Sequence, residues 1–253
     1  MNIFDTPLRK GKISDISVKS KKVFVEKVLS FVDYGSMSPT SLVINCGNGA
    51  VGPVLDKVTE EVKKLTNSIT FFEQFKDPDP SFPNGIPNPI LKRNHAVTRD
   101  KVLETKADFG VAFDGDFDRC FFFDENGDFI NGEYIVGLLA EIFLEKEPGG
   151  KIVHDHRVIW NSQNIINLSG GIAITSKTGH AFMKAEMRKH DAIYGGELSA
   201  HHYFRDFCYC DSGIIPFLLI LEYLGKKKES LSKILEKRRS LYPSSGEINL
   251  KVS

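Results

Sequence analysis

The chain has 253 residues, 41% of them apolar and 26% charged, with 33 basic against 33 acidic side chains and a formal net charge of zero. That is enough chain for one large or two medium domains of ordinary soluble composition. With no basic excess, nucleic acid is not an expected partner.

The N-terminal stretch "MNIFDTPLRKGKISD" has no apolar run, so no signal peptide is expected. Residues 1–20 read as polar and irregular. "KKVFVEKVLSFV" places Phe24, Val28 and Phe31 or Val32 at helical spacing. "SLVINC" reads as a strand. "VGPVLDKVTEEVKKL" repeats Val51, Leu55, Val58, Val62 and Leu65 as an amphipathic helix, and "SITFFEQF" is the next strand. Between them "NCGNGAVG" holds Gly47, Gly49 and Gly52 as G-x-G-x-x-G, with Glu73 about 20 residues on. That is dinucleotide spacing, but no second feature supports a nicotinamide site, and the loop reads more simply as a tight strand-to-helix turn. Five prolines from Pro78 to Pro89 then rule out strand pairing. A short helix near "RDKVLETK" leads into "ADFGVAFDGDFDRCFFFDENGDFI".

That segment reads as two aromatic-rich strands joined by an acidic loop at the end of a sheet. The loop carries Asp114, Asp116, Asp118 and then Arg119. In an extended loop, alternate side chains fall on one side, so the three carboxylates are expected to converge. An all-oxygen donor set suits a hard cation, Mg²⁺ before softer metals. An EF-hand would use Asp114, Asp116, Asp118 and Glu125, but it needs Gly where Arg119 stands, and flanking helices. An aspartyl nucleophile at Asp114, as in haloacid-dehalogenase-like phosphatases, would want Thr or Val in place of Asp118. A solvated acidic turn is the remaining alternative.

"NGEYIVGLLAEIFLEKEPGG" is a helix stopped by Pro148 and Gly149. A second series of strands and helices follows, with "KIVHD", "IAIT" and "AIYGG" as strands. Arg157 comes just after the first of these, where a guanidinium fork suits phosphate. "TSKTGHAFMK" puts Lys177 and His180 at a helix start, which suits an anion, or is simply a helix capped by Thr178. "GGELSAHHYFRD" combines Glu197, Ser199, His201 and His202. A carboxylate and a hydroxyl two apart can hold sugar hydroxyls beside a proton-trading His; the alternative is a polar loop with packed histidines. "DSGIIPFLLILEYL" is the last helix, and its apolar run is too short to span a bilayer, so no membrane partner is expected. Cys46, Cys120, Cys208 and Cys210 form no C-x-x-C pair and read as reduced thiols of a cytoplasmic protein. The expected fold is α/β: two consecutive three-layer α/β/α domains with mixed, mostly parallel sheets, divided near Gly149.

Taken together, "FPNGIPNP", "AFDGDFDRCF", "SKTGHAFMK", "AIYGGELSAHHYFRDFCYCDSG" and "PSSGEIN" resemble the α-D-phosphohexomutases, and within them the bacterial phosphomannomutase branch of nucleotide-sugar metabolism. The likeness runs from about residue 20 to the end. It implies that Asp114, Asp116 and Asp118 are Mg²⁺ ligands and that Arg119 holds the transferring phosphoryl group. It implies that Glu197 and Ser199 bind sugar hydroxyls, that His201 carries a proton, and that His180, Lys177 and Arg157 line the same site. The implied reaction interconverts mannose 6-phosphate and mannose 1-phosphate through a phosphoserine and a hexose 1,6-bisphosphate. Family members have four domains. The serine loop of the first and the phosphate loop of the fourth have no counterpart in these 253 residues. The expected layout is therefore a remnant of a preceding domain or linker over 1–19, domain II with the metal loop over 20–148, domain III with the sugar loop over 149–242, and the start of domain IV over 243–253. A non-catalytic module binding Mg²⁺ and sugar phosphate is the alternative from another class.

Overall fold

The computed structural model of the chain describes residues 11–246. The first ten positions of the remnant expected over 1–19, and residues 247–253 of the expected opening strand of a further domain, lie outside the described residues.

The first unit runs α1 (Ser17–Leu29), β1 (Thr40–Asn45), α2 (Gly52–Leu65), β2 (Ile69–Gln74), α3 (His95–Thr105), β3 (Phe109–Phe113), β4 (Cys120–Asp124) and β5 (Phe129–Ile130). The second runs α4 (Gly132–Lys146), β6 (Lys151–Asp155), α5 (Ile159–Leu168), β7 (Ile172–Ser176), α6 (His180–His190), β8 (Tyr194–Gly196), β9 (His202–Phe204), β10 (Cys210–Asp211), α7 (Ile214–Lys227) and α8 (Leu231–Leu241). α2 buries Leu55, Val58 and Val62, the stripe its periodicity announces, and has Pro in its first turn where a missing N–H costs nothing. β3 and β4 are buried at every position, which is why they read as continuous apolar runs.

The two sheets share one topology. Their strand orders are β2-β1-β3-β4-β5 and β7-β6-β8-β9-β10. In each, the first three strands pair in parallel and the last two return antiparallel. Half of the strand pairings are thus antiparallel, and the expectation of mostly parallel sheets is corrected. The reason lies in connection length. A parallel return needs a crossover of a dozen or more residues, and the loops between β3 and β4 and between β8 and β9 are far too short for one. The short strands β9 (His-Tyr-Phe) and β10 (Cys-Asp) lie in a stretch that reads as loop rather than strand.

One apolar core serves both units. It includes Leu42, Phe113 and Phe122 of the first sheet and Ile152, Tyr194 and Phe204 of the second. α7 is buried from Ile214 to Gly225, as a helix that is apolar all round requires. α4 packs on α5, α7 and β8. α8 has only Leu231 and Leu235 buried, too weak a stripe to announce itself. It is held by polar ties: Arg239 Nη1 donates to Asp124 Oδ2 at 2.9 Å, and Ser232 N–H to Glu125 Oε2 at 3.1 Å. Among the described residues, no helix is long and apolar enough to cross a membrane.

Candidate active site

The acidic loop leaves the buried end of β3. It is not extended. Phe117 N–H donates to Asp114 O at 3.3 Å, and Phe117 takes a φ of 55°. The carboxylates therefore converge through a turn, not through the strand-like alternation expected. A left-handed non-glycine residue costs roughly 1–2 kcal/mol, offset here by packing of the Phe117 ring against Phe24, centroids 6.4 Å apart. From below, the loop rests on the glycine-rich turn after β1. Ala50 N–H donates to Gly115 O at 2.9 Å, and a Cβ on Gly49 would stand 2.6 Å from that same carbonyl. The G-x-G-x-x-G spacing serves close backbone approach between two loops.

Asp114 is 2% exposed and both its oxygens are taken by Arg119: the backbone N–H donates to Oδ1 at 3.2 Å and Nε to Oδ2 at 2.6 Å. Burial, opposed by the Arg119 guanidinium and reinforced by Asp118, pushes its pKa up to about 6. A carboxylate clamped in this way is a poor nucleophile, which argues against the aspartyl-phosphatase alternative. Asp116 is exposed and Asp118 half-buried, and oxygens of the three lie within 4.8 Å of one another. Asp118 Oδ1 is buried without a hydrogen-bond partner. Converging oxygens, one of them unsatisfied, fit a hard dication, so the donor set suits Mg²⁺.

The second unit brings its own loops to the same place. Glu197 follows β8 and is 1% exposed. Its Oε1 accepts from Gly179 N–H at 2.7 Å, and its Oε2 accepts from Tyr203 Oη at 2.7 Å and lies 3.2 Å from His201 Nδ1. Burial alone would raise its pKa; the bonds from His201, Tyr203 and Gly179 outweigh burial and hold it at about 2. Ser199 Oγ is 2.9 Å from His201 Nδ1. His180 opens α6 behind Gly179, and its Nδ1 lies 3.3 Å from Asp211 Oδ2. Thr178 makes no cap bond, and its Oγ1 is buried without a partner.

The two units meet through backbone. Arg119 and His201 form an antiparallel bridge, and Gly213 N–H donates to Phe117 O at 3.1 Å. These ties place His201 Nε2 at 3.6 Å from Asp118 Oδ2 and the His180 and His201 ring centroids 4.5 Å apart. Asp114, Asp116, Asp118, Arg119, His180, Glu197, Ser199 and His201 thus share one site. Arg157 stands apart from this cluster. It is exposed, and its Nε and Nη2 donate to buried Asp155 Oδ2 at 2.9 and 2.6 Å. That same oxygen accepts from Leu198 N–H at 3.2 Å, so Asp155 ties the Arg157 turn to the sugar loop. Lys177 is exposed, with Nζ 5.5 Å over the Phe182 ring. Asp155, Tyr203 and Asp211 escaped the sequence reading. Asp211 carried the one usable hint, lying in the "DSG" that closes the sugar-loop segment.

Two α/β/α units of equal topology, joined where a carboxylate turn meets an imidazole loop, define a phosphohexomutase-type pair of domains. Residues 22–127 match the family domain described as phosphoglucomutase/phosphomannomutase, alpha/beta/alpha domain II, and residues 131–242 match domain III. The chain belongs to the phosphoglucomutase/phosphomannomutase family. It is 54% identical over 251 residues to a phosphomannomutase of Vibrio cholerae, covering 96% of this chain and 54% of that protein. It is 50% identical to a phosphomannomutase of Escherichia coli K12, covering 97% of this chain and 53% of the relative. A phosphoglucomutase/phosphomannomutase family protein from Burkholderia thailandensis superposes with a TM-score of 0.76 at 30% identity, over 89% of this chain and 47% of that one. The chain spans about half the length of the relatives it matches.

Proposed function

We propose that the chain carries the metal-and-sugar half of a phosphomannomutase active site, which moves a phosphate between O6 and O1 of a hexose. The observation that carries this reading is the Arg119–His201 bridge, which sets Asp118 and His201 3.6 Å apart. An acceptor hydroxyl brought to this edge meets a phosphoryl clamp at Arg119 on one side and a proton carrier at His201 on the other.

Asp114, Asp116 and Asp118 would hold Mg²⁺, which supplies charge neutralisation for a phosphoryl group in transfer. The remaining roles fall to side chains. Arg119 is anchored through Nε alone, so its two terminal nitrogens make no hydrogen bond among the described residues. They form the fork that takes phosphoryl oxygens. Glu197, held ionised, accepts from His201 Nδ1 and leaves Nε2 as the atom that takes the proton of a sugar hydroxyl. Because both Glu197 oxygens are engaged, it acts as a positioning residue in this geometry, and Ser199 is the better placed to meet sugar hydroxyls. His180 and exposed Lys177 add charge for the distal phosphate, and Arg157 lies at the rim under Asp155. A phosphoserine donor is supplied from outside these residues. The four free cysteines, two of them buried, accord with a cytoplasmic location. The expected lobes, 20–148 and 149–242, put α4 in the first; because α4 packs on α5, α7 and β8, the division of this reading falls before it, near residue 131.

Calorimetry of the chain with mannose 6-phosphate and glucose 6-phosphate in excess Mg²⁺ tests the reading. Binding of at least one of them is expected, lost in Arg119→Ala and weakened in Ser199→Ala. No binding of either sugar, or binding indifferent to Arg119→Ala, overturns it.

A further inference from the structure

Beside the carboxylate turn lies a second cluster with different chemistry. Asp118, His180, His201 and Asp211 each offer a donor atom, and these atoms all lie within 4.8 Å of one another. Two edges of the group are short: His201 Nε2 to Asp118 Oδ2 at 3.6 Å and His180 Nδ1 to Asp211 Oδ2 at 3.3 Å. A tetrahedral ion with bonds of about 2.0–2.1 Å has donor–donor edges of about 3.3–3.4 Å. Two edges of the cluster thus already lie close to those of such an ion.

The groups behind the donors are arranged as outer-shell partners. His201 Nδ1 is held by Glu197 at 3.2 Å and Ser199 at 2.9 Å, so the Nε2 lone pair faces Asp118. A carboxylate behind a histidine fixes the ring and raises its basicity as a ligand. Lys184 Nζ holds Asp211 Oδ1 at 3.1 Å, leaving Oδ2 directed at His180. The Asp211 side chain is only 9% exposed, and Oδ2 makes no hydrogen bond. A cation shared by the four donors would give Asp211 Oδ2 the partner it lacks.

We propose that Asp118, His180, His201 and Asp211 form a second cation site, selective for a borderline dication such as Zn²⁺ over Mg²⁺. Two imidazoles and two carboxylates suit Zn²⁺, whereas Mg²⁺ prefers oxygen alone. The binding stands without the sugar-phosphate reading. Only its consequence rests on that reading: the ion takes the His201 lone pair that the proton transfer uses, so the two exclude each other.

The test is titration of the full 253-residue chain with Zn²⁺ and Co²⁺ in excess Mg²⁺ and without sugar phosphate. Cys208 is exposed and Cys210 partly so, and both are replaced by Ser to remove competing thiolates; Cys46 and Cys120 are buried. One Zn²⁺ per chain is expected, with tetrahedral Co²⁺ absorption and no thiolate charge-transfer band. Affinity falls at least about tenfold in Asp211→Asn and in His180→Gln, and less than about threefold in Asp116→Asn. These variants sit on separate elements, and far-UV circular dichroism confirms which are folded. Imidazole NMR of the chain with only the two Ser replacements adds a reading on the intact cluster: Zn²⁺ should shift His201 Nε2 and His180 Nδ1 together. Zn²⁺ binding lost in Asp116→Asn but kept in the other two variants, unmoved imidazole signals, or no uptake above Mg²⁺ overturns the site.

Discussion

Asp116 stands exposed on the acidic turn, with no ion pair to another side chain among the described residues. Replacing an exposed, unpaired carboxylate costs within about 0.5 kcal/mol. Asp116→Ala should therefore melt with the parent in the absence of metal and lose the Mg²⁺-dependent rise in Tm. A thermal-shift titration checks both halves; a variant that still responds to Mg²⁺ removes Asp116 from the ligand set. Glu197 makes a separate prediction through pH. Its folded pKa of about 2 lies below the unfolded value near 4.3, so its stabilisation is complete above about pH 4.3 and lost as the pH falls toward 2. The difference is worth on the order of 3 kcal/mol. Melts between pH 5 and 2.5 should fall steeply for the parent and more gently for Glu197→Gln, which starts lower at pH 7. Parallel curves would remove the charge from that role.

At the level of elements, the site is made by two hairpin loops of equal topological rank. The acidic loop joins the third and fourth strands of one sheet, and the sugar loop joins the third and fourth of the other. Gly213, at the N-cap of α7, lets them touch. A Cβ there would stand 2.8 Å from both Phe117 O and Arg119 O, backbone atoms that cannot swing aside. Gly213→Ala should cost about 1–3 kcal/mol by overpacking and push the acidic turn away from His201. The expected signature is a lower Tm together with a weaker Mg²⁺ response. A lower Tm with an unchanged response would mean that the bridge does not govern the metal turn.

For the molecule as a whole, the shared core matters more than the boundary between units. α7 is buried along both, and Arg239 reaches across from α8 to a fully buried Asp124. The two units should therefore melt in one transition. Leu218→Ala should lower stability by about 2–5 kcal/mol and keep that transition single. Two resolved transitions in calorimetry would contradict a common core. The same scale governs turnover. On the proposed reading these residues supply the acceptor side and the phosphoserine comes from elsewhere, and positioning a donor against a hydroxyl is most of what phosphoryl transfer requires. In a coupled assay with mannose 6-phosphate, Mg²⁺ and catalytic glucose 1,6-bisphosphate, this chain by itself should give no turnover above an Asp114→Ala, His201→Ala control. Turnover above that control would point to a nucleophile within these residues.

Much was legible in the linear chain. The α2 stripe, the buried runs of β3 and β4, and the order of the acidic, helix-start and sugar loops are local patterns, set by side-chain period and turn chemistry. The family followed from those loops because each packs several chemical groups into a few neighbouring positions. What stayed hidden depends on partners far apart in sequence. The antiparallel half of the second sheet turned on strands of two or three residues, His202–Phe204 and Cys210–Asp211, which pair only because a neighbouring strand is already in place. α8 is fixed by charges on Asp124 and Glu125, more than 100 residues away. Asp155, Tyr203 and Asp211 look unremarkable alone and gain roles only from the backbone N–H groups and imidazoles that folding sets beside them. The composition of the loops determined which chemistry is present. The bridge between Arg119 and His201 decided that the carboxylates and the imidazoles share one site, because only packing of the two sheets around α7 brings residues 82 positions apart into backbone contact.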